Sequence, residues 1–326
     1  MILSNTSVGS DANVDQTLVE GMIGDPSEMI DASVTMLTEC HNLTIAMARF
    51  EHANYLSEAT AGEKQALEEG AIKEFFIKAK NWIVDFFKKM IAWIKNLVDV
   101  VWHKVFTPRE TWLKAHKGEL EAKSDVDLKG TKVSVGTNVE PGALKGMFTA
   151  ATDAGQKLIK EAEQAKGEES PNFQARIENI YKGWLKNRKE GQSVAASTMA
   201  QYVGEPQEHE LSRGMVGTLI DVAETTFANV TKMKGAQMIC DGGIRTANGT
   251  ATAGGDEKAK QATLKALQAA GPAISSILSA IASANSAANQ QAMSALVKAL
   301  HAKAAAAATP AAEPVSAGTS LLDAYF

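Results

Sequence analysis

Along most of this chain the apolar residues return every three or four positions, which is the period of a helix. The stretch "DPSEMIDASVTMLTECHNLTIAMARFEHANYLSE" carries the first clear start signal. Asp25 is placed to cap, Pro26 stands at the first helical position, and Glu28 closes a capping box. Met29, Ala32, Val34, Leu37, Cys40, Leu43, Met47 and Phe50 then follow at roughly helical spacing. "ATAGEKQALEEG" (59–70) is expected to interrupt. The next helix is expected from about Ala71 to Phe106 and contains the most aromatic passage, "FFIKAKNWIVDFFKKMIAWIKNLVDVVWHKVF". Lys73, Glu74, Lys78, Asn81, Asp85, Lys88, Lys89, Lys95, Asp99 and His103 form one thin polar stripe along it, and the rest of its circumference is apolar. Such a helix would be about 50 Å long.

"TPRE" predicts a change of direction, with Thr107 as cap, Pro108 behind it and Glu110 in the first turn; a short helix should end at Gly118. Alternation of period two is convincing only within "DLKGTKVSVGTNVEPG" (127–142), where Val133 and Val135 alternate with polar residues. "STMAQYVG" (197–204) is a second candidate strand. Helices are expected at about 143–166, 172–189 and 211–239, the last after an acidic loop, "GEPQEHE". "CDGGIRTANGTATAGGDEK" (240–258) reads as a mobile connection. Residues 256–302 read as an alanine-rich pair of helices broken or kinked at Gly271-Pro272. The N-terminal 24 residues are polar and expected to be disordered. Residues 304–326 are a low-complexity tail ending in "LLDAYF".

The fold class that follows is mainly α: a multi-helix bundle of long amphipathic helices with a small β element in the middle. The organisation divides into an acidic helical leader (1–69), a long aromatic and basic helix plus a short one (70–125), an α+β body (126–250), the alanine-rich helical pair (251–303) and the tail.

Composition agrees, with abundant alanine and only 6% aromatic residues among 326. Net charge is a bland −5, yet its distribution is uneven. Residues 1–69 hold twelve acidic residues against Arg49 and Lys64, a net −10, which leaves +5 on the remainder. An acidic leader on a basic body points to self-masking or to removal of the leader. Two cysteines, Cys40 and Cys240, make no disulfide framework, so a reducing compartment is the expectation. The N-terminus shows no secretory pattern. The longest uncharged run, 266–297, is rich in Ser, Asn and Gln and is a poor membrane span.

Residues able to do chemistry are sparse. The six histidines are scattered, and His41 and His52 stand three turns apart, too far to share an ion. Gly249 and Gly254 have P-loop spacing but lack the following Lys-Ser/Thr. Cys240 precedes Asp241-Gly242-Gly243 with no histidine near in sequence; only folding could bring His209 to it. No catalytic, cofactor or metal residues are assigned, and the chain is read as a non-enzyme.

Two features carry the functional expectations. Trp82, Trp93, Trp102 and Trp112, with ten basic against four acidic groups over 71–117, would suit a helix lying on a membrane. A polar face that thin suits a buried spine better; a membrane-active toxin or effector stays the alternative, and an oligomer-forming helix a third reading. "YKGWLKNRKEG" (181–191) is the densest basic patch, and Lys182, Lys186, Arg188 and Lys189 are candidate contacts for nucleic acid, non-specific in character.

The leader contains four Leu-x-Glu triplets: Leu18-Val19-Glu20, Leu37-Thr38-Glu39, Leu56-Ser57-Glu58 and Leu67-Glu68-Glu69. Each is followed by a small residue, Gly21, Cys40, Ala59 and Gly70. With the aromatic, lysine-rich helix that follows, this resembles internal head or prohead-core proteins of large tailed phages, mainly over residues 50–120. In T-even-like phages of that kind the maturation protease cuts after Leu-x-Glu or Ile-x-Glu. The resemblance implies Glu58 or Glu69 at the cleavage position, with Leu56 or Leu67 as anchor and Ala59 or Gly70 as the new first residue. It further implies a structural protein of the virion interior, present in the host cytoplasm during assembly. Its partners would be other virion proteins, the maturation protease and packaged DNA.

Overall fold

The computed structural model describes residues 64–165, 170–189, 191–254 and 256–302. The architecture is mainly helical, a helical bundle with one small antiparallel sheet in its middle. The predicted Asp25–Glu58 helix and the C-terminal tail lie outside the described residues.

Helix α1 (Lys64–Val101) is the aromatic helix, and it begins earlier than its sequence suggests. Gly70 lies inside it, because the good helix formers Lys64 to Glu69 outweigh one glycine. Its stripe is as expected: Lys78, Asn81, Asp85, Lys88, Lys89, Lys95 and Asp99 are exposed. Ile83, Phe87, Met90 and Ile94 are almost wholly buried on the opposite side. The helix is therefore a spine of the core.

The stop expected at Thr107 is replaced by continuity. A π-helical turn, Trp102–Phe106, joins α1 to α2 (Thr107–Ala122). Phe106 has helical dihedrals and no side chain caps α2, so Thr107 is not a cap. The widened register falls just before Pro108, which has no N–H to give to the carbonyl of Lys104. Gly118 does not end α2, which runs on to Ala122.

After the single turn α3 (Asp125–Leu128), closed by a capping box between Ser124 and Asp127, comes β1 (Lys132–Gly136). Its partner is β2 (Pro206–Glu210), the segment expected to be a loop. Lys132 stands opposite Glu210, Val133 opposite His209 and Val135 opposite Gln207. Val133 and Val135 point into the core while every β2 residue is exposed, so β2 lacked an alternating pattern to reveal it. Gly204 sets up the approach with φ of +74°, and a Cβ there would lie 2.2 Å from the Thr137 hydroxyl.

The candidate strand at 197–204 is instead helix α6 (Val194–Tyr202), capped by the Ser193 hydroxyl on the Ala196 N–H. Around it stand α4 (Pro141–Glu163), α5 (Ser170–Trp184) and α7 (Arg213–Met233). A 3₁₀ turn, Lys234–Ala236, leads from α7 into α8 (Gln237–Thr252). The mobile connection expected at 240–258 is thus mostly α8.

Its glycines are packing residues. A Cβ on Gly243 would lie 2.4 Å from the Phe87 ring of α1. The last helix, α9 (Glu257–His301), is continuous for 45 residues with Pro272 inside it, so the expected pair of helices is one. Gly271 beside that proline is fully enclosed, and a Cβ there would lie 2.7 Å from the Phe86 ring. Two adjacent aromatics of α1 therefore seat on two glycines of different helices. Burial on both sides outweighs the cost of one proline and several glycines.

Candidate functional site

The basic end of α5 was the site most visible in sequence. The structure exposes Lys182, Lys186 and Lys189 and withdraws Arg188 from the patch. The Arg188 guanidinium pairs with Glu178, its Nε donates to the Gln192 carbonyl at 3.2 Å, and its carbon lies 5.1 Å from the Tyr181 ring centroid. Tyr181 is buried, its hydroxyl donates to the Ala273 carbonyl at 3.3 Å, and burial raises its pKa. Trp184 is buried beside it. The Lys186 N–H is held by Gln201 Oε1 at 2.9 Å. Tyr181, Trp184 and Arg188 therefore anchor the helix end to the core. They cannot stack on a base, and three lysine ammonium groups are what remains for a polyanion.

A second lysine surface runs along α1, where Lys78, Lys88, Lys89 and Lys95 are exposed with Lys104 beyond them. Both surfaces suit phosphate contact of the non-specific kind.

A buried polar line, unforeseen in sequence, crosses the bundle from α2 to α4. Arg109 Nη1 donates to Asn289 Oδ1 at 2.7 Å. Asn289 Nδ2 donates to Thr226 Oγ1 at 2.8 Å, and Thr226 Oγ1 to the Ala223 carbonyl at 2.7 Å. Asn285 Nδ2 donates to the Thr226 carbonyl at 3.1 Å, while Asn285 Oδ1 accepts from Asn229 Nδ2 at 3.1 Å. Asn229 Nδ2 also reaches the Leu144 carbonyl at 3.0 Å. Lys232 Nζ donates to Asn229 Oδ1 at 3.2 Å. Burial lowers the Arg109 pKa to about 10, which still leaves it a cation at neutral pH. Asn285 and Asn289 on an apolar helix were the available signal, since such amides need partners when buried. Its groups are hydrogen-bonded to one another across the helices, which gives the line the properties of a structural register pin.

The other suggested chemistry is placed as follows. Cys240 is fully buried in α8, and burial, with Asp241 beside it, pushes its thiol up to about 12, opposite to an activated thiolate. His209 lies on exposed β2. Gly249 is inside α8, so the P-loop spacing is helical there. Among the described residues no cluster of three His, Cys, Asp or Glu could hold a metal. A groove of about 270 Å³ between α2 and α7 is floored by Leu113 and Phe227. Its charges pair with each other, Lys114 with Glu110 and Lys117 with Glu224, both at 2.6 Å.

Of the candidate cleavage residues, Leu67, Glu69 and Gly70 lie within the first turns of α1. A protease that binds an extended chain would have to unwind them. Leu56, Glu58 and Ala59 fall outside the described residues.

Comparison with known proteins adds no relative: no family model, curated protein or solved structure matches the chain.

Proposed function

We propose that this protein is a structural component of a tailed-phage head interior, made with an acidic leader that is removed after Glu58. The observation that carries the reading is the charge split: a leader of net −10 joined to a body of +5. Residues 1–58 hold nine acidic residues against Arg49, a net −8, so a cut there turns −5 into +3. Glu58 is preferred over Glu69 because Glu69 is helical. The body then offers exposed lysines at the α5 end and along α1 to packaged DNA, without sequence preference. Other virion proteins and the maturation protease are the remaining partners. Screening limits each surface charge to about 8–10 Å at physiological salt, so the leader biases DNA contact without locking it.

The membrane-active reading is weaker. The apolar side of α1 that would enter a bilayer is the core of the bundle. Helix α9 is long and apolar enough to span a membrane by length and composition, but 72% of its most apolar window is buried. Vesicle flotation of the folded protein tests this alternative, which predicts co-flotation with anionic liposomes.

Peptide mapping of purified phage particles tests the proposal. The protein should be found inside the head with Ala59 as its first residue. Its absence from particles, or its presence there with residues 1–58 attached, overturns the reading.

A further inference from the structure

The two outer edges of the small sheet are finished differently. Bonds at its ends set the phase of the ladder: the Leu211 N–H donates to the Thr131 carbonyl at 2.9 Å, and the Thr137 N–H to the Glu205 carbonyl at 3.1 Å. With Lys132 opposite Glu210 and Gly136 opposite Pro206, the odd-numbered residues exchange the ladder bonds. The even-numbered residues turn their backbone groups outward. On β1 the outer edge meets α9, where the Gly136 N–H donates to Gln291 Oε1 at 2.8 Å. On β2 the outward groups are the Pro206 carbonyl and both backbone groups of Glu208 and Glu210. Every residue of β2 is exposed, and no third strand stands beside it among the described residues. Such an edge is a template for one more strand.

The side chains of β2 select what can be added. Pairing β2 antiparallel with a second copy sets Glu208 opposite Glu208 or Glu210, or else opposite Pro206, which has no N–H to give. Like charges directly opposite destabilise a strand pair. A strand with Lys or Arg at alternate positions does the reverse, because its cations fall on the face that carries Glu208 and Glu210. Both carboxylates have room for it. Glu208 pairs with Lys132 at 2.7 Å in an exposed contact, and Glu210 Oε1 accepts the Gly130 N–H at 2.7 Å, so each keeps further acceptor sites. Glu205 adds a third negative charge, and residues 204–211 hold no lysine or arginine. The same charges repel phosphate, which reserves this edge for protein.

We infer that the outer edge of β2 docks an extended segment of another protein, added as an antiparallel third strand with Lys or Arg opposite Glu208 and Glu210. The inference uses the sheet alone and stands apart from the virion reading.

Amide NMR titration of the full chain with a short synthetic peptide of alternating Lys and Thr tests it. Shifts should concentrate at 205–211, and solvent exchange of the Glu208 and Glu210 amides should slow several-fold at saturation. The same peptide N-methylated at its lysines keeps every charge but loses the ladder donors, and should bind at least about tenfold more weakly. Gln in place of Lys should weaken binding about 1.5- to fivefold for each pair lost. Glu208→Pro removes an outward N–H and no bond to β1, so it should abolish binding with the rest of the amide spectrum unchanged. If that variant unfolds, the N-methylated peptide decides. Equal binding of the N-methylated peptide overturns the inference, because the contact is then charge alone. So does the absence of shifts over 205–211 at millimolar peptide. Protection of Glu208 and Glu210 that grows with protein concentration, without peptide, overturns it in favour of a second copy.

Discussion

Two seams of the same bundle are built in opposite ways. Where α1 meets α8 and α9, the contact is dry: Phe86 and Phe87 enter spaces left by Gly271 and Gly243. Where α9 meets α7 and α2, the contact is threaded by Arg109, Asn289, Thr226, Asn285 and Asn229, each hydrogen-bonded. Both seams run along α9, one toward its first half and one toward its second. The dry seam draws its strength from area and fit, and is sensitive to volume. The polar seam adds less net energy, because its groups gave up water to form it, but it permits only one register of α9 against α7. In a helix as rich in alanine as α9, small apolar side chains alone would let neighbours slide. The amides supply the specificity that alanine lacks.

The comparison breaks most severely at the dry seam. Phe87→Ala should cost about 3–5 kcal/mol in denaturant unfolding, by lost transfer energy plus a cavity. Gly243→Ala at the same contact should cost about 1–3 kcal/mol by overpacking. Combining Gly243→Ala with Phe87→Leu should cost less than the sum of the two singles, because the two sites share one space.

At the polar seam, Asn289→Leu removes the acceptor of Arg109 Nη1 and should cost about 1–3 kcal/mol. Adding Arg109→Met should recover part of that loss, since no buried cation then remains. A double variant less stable than Asn289→Leu would show that this seam depends on Arg109 beyond its bond to Asn289.

A smaller effect concerns pH. The Cys240 thiol is held protonated by burial, with its pKa raised from 9.0 to about 12. The raised group stabilises the fold fully below its unfolded pKa and ceases to as pH climbs through its folded one. Stability above pH 9 should therefore fall, with this thiol contributing at most about 1.4 kcal/mol per pH unit. Cys240→Ala should flatten the slope between pH 9 and 10 while lowering stability at pH 7. An unchanged slope would mean that the thiol is accessible in the fold. Smallest of all, changing Lys182, Lys186 and Lys189 to Gln should alter stability by no more than about 0.5 kcal/mol. Under the proposed DNA contact, it should still reduce the salt slope of binding by about 2–3.

The sequence disclosed long periodic elements well. The α1 stripe is as expected because charged residues spaced along one face admit one orientation in a bundle. The errors fell where a residue's usual local meaning was overridden by tertiary contact. Gly242-Gly243 read as a connection, yet Gly243 is the space for Phe87. Gly271-Pro272 read as a break or kink between two helices, yet α9 is one helix with Ala270, Gly271 and Ile274 buried in it. Thr107-Pro108 read as a start, yet a π turn carries the chain through. Strand β2 was illegible because all its side chains are exposed, so its partner alone defines it. In the lysine patch, the sequence marked Lys182, Lys186 and Lys189, which are exposed, together with Arg188, which is not. It could not show that Arg188 is bound to Glu178, because that pairing depends on how the chain leaves α5.

The central claim is that the leader governs access to a basic body. It is tested most directly by inserting a specific protease site after Glu58 and measuring duplex DNA binding by the folded full-length protein before and after cleavage. The account predicts that cutting and removing 1–58 tightens binding, most at low salt, with a steeper dependence on salt concentration. Equal affinity and equal salt slope before and after the cut would contradict it.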